Sequence, residues 1–491
     1  MYNPFLLTDF YKTGHVFQYP KGIQTVYSNF TPRGSRMEGV DGMVFFGLQY
    51  FIIKYLQEAF NDYFFDEDIE FIVGEYSRRM KTSLGGDLAS YEHFRKLHEL
   101  GYLPLKIKAL PEGSVVPMRV PCLTITNTHP DFAWLPNYIE TLMSCSLWLP
   151  CTSATIAHEL RKDLDSWARK TGMPGEFVQW QGHDFSMRGM SSVESAIASG
   201  MGHLLSFTGT DTIPAIDAME IYYAADADKE LIGGSVPATE HSVMCAGGQV
   251  NELETFRRLI TEIYPAGIVS IVSDTWDLGK VLTEYLPTLK ETVLAREGKV
   301  VIRPDSGDPV KILCGDPSKT GWESKGVVEC LWDVFGGTVT ATGHKVLDGH
   351  IGSIYGDGIN RTRLNEICRQ LEAKGFASQV VFGIGSYSYQ PNTRDTFGTA
   401  MKATWAVVDG KEHVLFKDPK TDDGTKKSAR GLLKVYNEQG EYKLRDNVTA
   451  HEEDSGELEL VFLDGEMERF HTMKDIRENL AFERSKCVAS H

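Results

Sequence analysis

What this chain lacks narrows it first. It has no excess of basic residues: 67 Asp and Glu against 50 Lys and Arg leave a net charge of −17. That balance argues against a nucleic-acid partner, because phosphate backbones are held by clustered cations. A small phosphorylated substrate stays open, since it needs only a local cationic pocket within an acidic surface. No uncharged apolar run is long enough to cross a bilayer, so no membrane partner is expected. The opening Met1-Tyr2-Asn3-Pro4-Phe5-Leu6-Leu7-Thr8-Asp9 lacks a basic stretch followed by a long apolar one. It does not read as a signal peptide, and a cytoplasmic location is the expectation. The eight cysteines (Cys122, Cys145, Cys151, Cys245, Cys314, Cys330, Cys368 and Cys487) form no CxxC pair. Free, mostly buried thiols in a reducing compartment are expected, and structural zinc is not. Repeats, low-complexity tracts and long linkers are also missing.

What is present is an ordinary globular composition, 42% hydrophobic and 24% charged, over 491 residues. That length exceeds one compact core, so two domains are expected. In the middle of the chain short apolar runs end in Asp or Gly and lead into helix-like segments. Val269-Ser270-Ile271-Val272-Ser273-Asp274 precedes a helical stretch around 278–285, and Val300-Val301-Ile302-Arg303-Pro304-Asp305 ends in Ser-Gly. Ile354-Tyr355-Gly356-Asp357-Gly358 leads into 363–373, and Val380-Val381-Phe382-Gly383-Ile384-Gly385 closes the series. Alternating strand and helix predicts a parallel sheet. Polar residues gathered at strand C-termini predict a barrel with its site at that rim, its last glycine-rich turns suited to a phosphate. The flanks differ. Residues 104–127 alternate in strand fashion, and after about 403 hairpins follow one another, with Asp-Gly turns in Val408-Asp409-Gly410-Lys411 and Leu463-Asp464-Gly465-Glu466. The expected division is 1–150 and 403–491, together a β-rich domain, around a central α/β domain at 151–402.

Three stretches hold residues able to do chemistry. Gly182-His183-Asp184-Phe185-Ser186-Met187-Arg188-Gly189 precedes Ser191-Ser192-Val193-Glu194, where Ser191 and Glu194 have capping-box spacing for a helix through 196–205. A helix N-terminus favours anions, yet the same residues read equally as a capped polar turn. Phe207-Thr208-Gly209-Thr210-Asp211-Thr212 sets one carboxylate among small polar residues, which turns also favour. Ser235-Val236-Pro237-Ala238-Thr239-Glu240-His241-Ser242 places a His beside a Glu, with no spacing that forms a metal pair.

Taken in order, the motifs carry a resemblance. Thr8-Asp9-Phe10-Tyr11-Lys12, HDF-x-x-RG, GTDT, PA-x-EHS, SIVSD, IRPDSG, GDG, Thr393-Arg394-Asp395 and Phe416-Lys417-Asp418-Pro419 follow one another as in nicotinamide phosphoribosyltransferases, over about residues 5 to 480. The resemblance implies an irregular (β/α) barrel of the type II phosphoribosyltransferases with a β-rich second domain, in a homodimer with active sites at its interface. It implies displacement of pyrophosphate from phosphoribosyl pyrophosphate (PRPP) by nicotinamide, giving nicotinamide mononucleotide for NAD salvage. Mg²⁺ and, facultatively, ATP acting through a phosphohistidine are the implied cofactors.

It also implies roles. Phe185 and the partner subunit's Tyr11 sandwich the pyridine ring. Asp211 accepts from the carboxamide NH₂, Arg303 and Ser270 complete the amide end, and Arg188 and Asp9 shape the pocket. Gly356, Asp357, Gly385 and Ser386 form the 5′-phosphate loops, with Asp357 on the ribose hydroxyls. Arg394, Lys402 and Lys417 bind phosphates, and Lys426 or Lys427 supplies a further cation. Asp305 holds Mg²⁺ through water; His241 takes a phosphoryl group from ATP, oriented by Asp274. Departures at Gly352, Ser353, Ile384 and Ala400, where animal members carry other residues, point to a bacterial or phage-like member. Rival readings are the sister enzyme for nicotinate, a barrel lyase or isomerase acting on a sugar phosphate, and a non-catalytic binding protein. Asp211 opposes the first, and the absence of a lysine at the candidate strand ends opposes the second.

Overall fold

Short apolar strands, each followed by a helix, build a parallel sheet in the middle of the chain. The computed structural model describes residues 3–86, 91–416 and 429–489, which fall into two compact units. The first comprises 1–155, 219–225 and 392–491, and the second 156–218 and 226–391.

In the second unit six strands lie in the order Gly209–Thr210, Gly182–Asp184, Val381–Ile384, Ile351–Tyr355, Val300–Arg303 and Val269–Val272. Every pairing is parallel. Val269–Val272 is buried along its whole length, as a strand covered on both faces must be. The two edges are joined through residues 234–238: Gly234 bridges Gly209 on one side and Ala238 bridges Ser270 on the other. The Thr210 N–H donates to Gly234 O and the Ser270 N–H to Pro237 O, each at 2.9 Å. Spatial order round the ring is therefore chain order, the irregular (β/α) barrel that the resemblance implies.

The helix after the HDF stretch is Val193–Leu204, and its cap is one residue later than the Ser191/Glu194 spacing predicts. Ser192 accepts from the Ser195 N–H while the Ser195 hydroxyl accepts from the Ser192 N–H. A serine hydroxyl in the first turn does the reciprocal work that the glutamate was expected to do. The helix after the GDG turn, Arg361–Ala373, is capped by Asn360.

The first unit is built on a seven-stranded sheet ordered Lys411–Val414, Ala400–Val408, Ile23–Thr31, Leu123–Asn127, Leu105–Ala109, Glu459–Leu463, Glu466–Met467. All its pairings are antiparallel, and strands from the two ends of the chain interleave in it. Both Asp-Gly pairs make the expected left-handed turns, with φ of 50° and 71° at Asp409 and Gly410 and 48° and 94° at Asp464 and Gly465. Beside this sheet, Phe5 packs edge-on against Phe64 at 4.8 Å and lies 4.3 Å from Phe94, centroid to centroid. The Tyr138 hydroxyl donates to Phe5 O at 2.7 Å. These contacts fix the start of the Thr8–Lys12 stretch, where Asp9 accepts from Thr141 at 3.0 Å, Lys12 pairs with Glu140, and Tyr11 stands 60% exposed.

Cys122, Cys151, Cys314, Cys330 and Cys368 are buried free thiols, so most of the described cysteines are buried as expected, while Cys145 and Cys245 are exposed free thiols. Both sit on helix faces turned away from the core, where sequence neighbours do not report burial. The Cys487 side chain lies outside the described residues. Among the described residues no helix is long and apolar enough to cross a membrane.

Candidate active site

Each of the seven ring segments ends in a turn on the same rim of the barrel, and each turn brings a candidate residue. Phe185 and Arg188 follow Gly182–Asp184, Asp211 follows Gly209–Thr210, and His241 follows the bridging segment. Asp274, Asp305, the Gly356-Asp357 pair and the Gly385-Ser386 pair follow the remaining four strands. Side chains at strand C-termini leave the sheet's hydrogen-bond ladder and are free to converge on the axis.

Phe185, Arg188, Asp211, Asp305 and the two glycine-turn pairs line two cavities that share Phe185, Asp211 and Arg303, while His241 and Asp274 lie outside that lining. The deeper, about 330 Å³, is mostly apolar and includes Ser235 and Ser270. The outer, about 840 Å³, adds Arg188, Asp305, Asp357 and Ser386. The Phe185 ring lies where glycine is obligatory on the neighbouring strands: a Cβ on Gly383 would sit 2.4 Å from its Cδ2, and one on Gly356 2.9 Å from Asp305 Oδ1. These glycines let the ring and the Asp305 carboxylate approach backbone directly.

At the junction of the cavities Asp211 Oδ1 accepts from His183 Nε2 at 2.8 Å and from the Ser235 hydroxyl at 2.6 Å. Among the described residues no hydrogen bond falls on Oδ2. Burial alone raises this carboxyl, but the bonds from His183 and Ser235, with the charges of His183 and Arg303, leave it below the ordinary carboxylate value. Asp211 is thus an anion at neutral pH. Arg303 donates to Thr239 O at 2.7 Å, and its Nε, like Ser270 Oγ, is buried without a partner among the described residues. Buried donors with no protein partner beside an open carboxylate oxygen make a site for a small polar planar group.

On the outer side Asp274 joins two turns. Its Oδ2 accepts from the Asp305 N–H at 2.7 Å and from the Ser306 hydroxyl, and its Oδ1 lies 3.4 Å from His241 Nε2. Burial and then the charges of Asp357, Asp305, Asp274 and Asp308 push the Tyr355 phenol up, which marks a strongly negative locale. Among the described residues no three ligating side chains stand together as a metal cage. The donor set suits a hard cation that keeps most of its waters and leans on one or two carboxylates and on substrate phosphates, as Mg²⁺ does.

Four residues of this site carry no role in the sequence reading. His183 and Ser235 lie inside the quoted motifs, which signal the stretch but not the partner. Arg363 and Tyr387 carry no motif. Arg363 donates to Gly358 O at 2.5 Å and its guanidinium lies 5.5 Å from the Tyr387 ring centroid, so it links the turns after Ile351–Tyr355 and Val381–Ile384. Gly358 itself holds φ +60°, a left-handed conformation natural to glycine. Of the other expected site residues, Asp9, Tyr11, Arg394 and Lys402 belong to the first unit, where Arg394 pairs with Asp395 at 3.2 Å. Lys417, Lys426 and Lys427 lie outside the described residues.

Residues 180–454 match the nicotinate phosphoribosyltransferase (NAPRTase) family, and residues 3–107 match the nicotinamide phosphoribosyltransferase N-terminal domain. A nicotinamide phosphoribosyltransferase of Acinetobacter baylyi is 55% identical over 98% of this chain and 97% of its own length. One from Xanthomonas campestris pv. campestris is 35% identical over 97% of each. Among solved structures, nicotinate-nucleotide pyrophosphorylase from Pyrococcus furiosus superposes with a TM-score of 0.60 at 16% identity, covering 99% of this chain and 96% of that one. Human nicotinic acid phosphoribosyltransferase gives 0.52 at 14% identity, covering 97% and 94%. These two share the fold.

Proposed function

This chain belongs to the nicotinamide phosphoribosyltransferase family, and we propose that it joins nicotinamide to the phosphorylated ribose of PRPP, forming nicotinamide mononucleotide and releasing pyrophosphate. The observation that carries the choice of base is Asp211, an anionic carboxylate with one oxygen uncommitted beside Arg303 and Ser270 in a mostly apolar cavity. A carboxamide answers both sides of that arrangement, its NH₂ donating to Asp211 and its oxygen accepting from Arg303 or Ser270. Nicotinate presents a second negative charge to Asp211, a juxtaposition that costs several kcal/mol.

Phe185 supplies one face of the stack on the pyridine ring, and in a homodimer the partner subunit's Tyr11 supplies the other. The backbone at Gly356, Asp357, Gly385 and Ser386 receives the 5′-phosphate, with Asp357 on the ribose hydroxyls and Arg188 at the pocket rim. Arg394, Lys402 and Lys417 serve phosphates, some of them across the subunit interface. The pyridine nitrogen attacks the ribose C1 as the bond to pyrophosphate breaks, and the chain's work is to align the two and stabilise charge. Asp305 would hold Mg²⁺, through water, and the ion would supply charge neutralisation for the departing pyrophosphate. ATP enters at His241: one imidazole nitrogen faces Asp274, and the other is the candidate to take the γ-phosphoryl group as ADP leaves. A cytoplasmic setting belongs to the same proposal.

The test is product formation from PRPP and Mg²⁺ with nicotinamide or nicotinate, each with and without ATP. Nicotinamide mononucleotide from nicotinamide, with a much poorer nicotinate reaction, is the expected result. A nicotinate preference keeps the reaction and overturns the choice of base.

A further inference from the structure

Asp211 can select an amide over a carboxylate only if its charge is held in one orientation. Its side chain is 47% exposed, so the rest of the pocket does not clamp it by packing. What holds it is a triangle of side chains from three separate ring segments. His183 Nε2 at 2.8 Å and Ser235 Oγ at 2.6 Å both meet Oδ1, and Ser235 Oγ is 3.4 Å from His183 Nε2. The backbone of the same turn is fixed as well, since the Asp211 N–H donates to Asp184 O at 2.9 Å.

His183 is itself held. Its residue is 8% exposed and lies on Gly182–Asp184, in register with Gly209 and Gly383 on the flanking strands. Its ring tilts against that of Phe185 at 4.8 Å between centroids. A Cβ on Gly209 would come within 2.7 Å of Nδ1, so the glycine of the GTDT motif is what admits the imidazole in this pose. The bond to a carboxylate oxygen assigns the proton to Nε2. Through that N–H the ring donates to Asp211 Oδ1.

We propose that His183, seconded by Ser235, is a positioning residue for base specificity: by occupying Oδ1 it turns Oδ2 toward the carboxamide and so sustains the preference for nicotinamide over nicotinate. This rests on the proposed function and extends it to residues that do not themselves touch the reacting atoms. Loss of the clamp frees the carboxylate to rotate, and the site then pays a smaller penalty for the wrong base.

The experiment compares kcat/KM for nicotinamide and for nicotinate, at saturating PRPP and Mg²⁺, in the wild type, His183→Ala, His183→Gln and Ser235→Ala. The nicotinamide/nicotinate ratio is expected to fall by about tenfold in His183→Ala. The fall should arise mostly from a raised KM for nicotinamide, with the KM for PRPP unmoved. His183→Gln, whose side-chain NH₂ can still donate to Oδ1, should keep most of the ratio, and Ser235→Ala should lose part of it. A ratio within about twofold of wild type in His183→Ala overturns the proposal. So does a PRPP KM rising in step with that for nicotinamide without rescue by glutamine, because that is the mark of general packing damage. If His183→Ala does not fold by circular dichroism, Ser235→Ala decides: a lowered ratio supports the clamp and an unchanged one overturns it. A wild type that uses neither base counts against the proposed function itself.

Discussion

His241 Nε2 stands 3.4 Å from Asp274 Oδ1, and that oxygen is buried without a hydrogen bond from any described residue. The other oxygen of Asp274 is committed to the Asp305 N–H and the Ser306 hydroxyl. One carboxylate therefore joins the turn of the candidate phosphoryl acceptor to the turn of the candidate magnesium residue. Substituting His241→Ala is expected to remove both the stimulation of turnover by ATP and the acid-labile phosphate left on the protein by γ-labelled ATP. Asp274→Asn should lower that labelling by about tenfold or more, since the imidazole loses the charge that orients it. Labelling that persists in His241→Ala would move the acceptor elsewhere.

Arg363 ties the two glycine-rich turns through Gly358 O and the Tyr387 ring. A hydrogen bond and a cation–π contact of this kind are together worth on the order of 1–2 kcal/mol. Arg363→Ala is expected to raise the KM for PRPP by roughly 5- to 30-fold and to leave that for nicotinamide near its wild-type value. Steady-state kinetics with each substrate varied in turn check this, and an equal rise in both would mean that the contact is not specific to the phosphate end.

Stability should fall on the acid side through His93. Burial pushes this imidazole down to about 4, and its ring meets that of Trp134 edge-on at 5.1 Å. The folded state thus excludes a proton that the unfolded chain binds below about pH 6.5. Between that pH and 4 the unfolded state carries more protons, so the contribution is complete above the window and is lost as pH falls through it. The full loss across that window is on the order of 3 kcal/mol. Denaturant midpoints at pH 7 and pH 5 should differ more for the wild type than for His93→Phe; equal differences would show that another group governs the acid limb.

The proposed sharing of sites between subunits predicts complementation. Mixing Tyr11→Ala with His241→Ala subunits should restore part of the ATP-stimulated activity, because one site of each hybrid dimer draws both residues intact. The measurement is turnover after exchange, with exchange itself shown by mass spectrometry of differently tagged chains. No recovery despite proven exchange would place Tyr11 outside the site of its partner.

Much of this molecule was legible before any contact was known. The Asp-Gly pairs at 409–410 and 464–465 needed left-handed backbone, and both turns formed where the dipeptides stand. The apolar runs ending in Asp or Gly became parallel strands because their burial pattern is written residue by residue. Apolar runs marked the strand ends that carry Asp274, Asp305 and the glycine turns, whereas the two-residue strand before Asp211 is too short to show and that stretch reads only as a turn. The Ser191 cap was misplaced by one residue because two serines and a glutamate in one turn offer nearly equal caps, and only the actual backbone path separates them.

What the tertiary structure alone decided is how those turns meet. Residues 234–238 close the barrel through two single bridges, too short a pairing to leave a strand pattern in the sequence. The triangle of His183, Asp211 and Ser235 and the link from Arg363 to Tyr387 join residues 24 to 52 positions apart. Periodicity and turn preference act over a few residues and so fix elements locally. Contacts across the ring depend on how seven segments pack and close together, and that geometry exists only once the chain has folded.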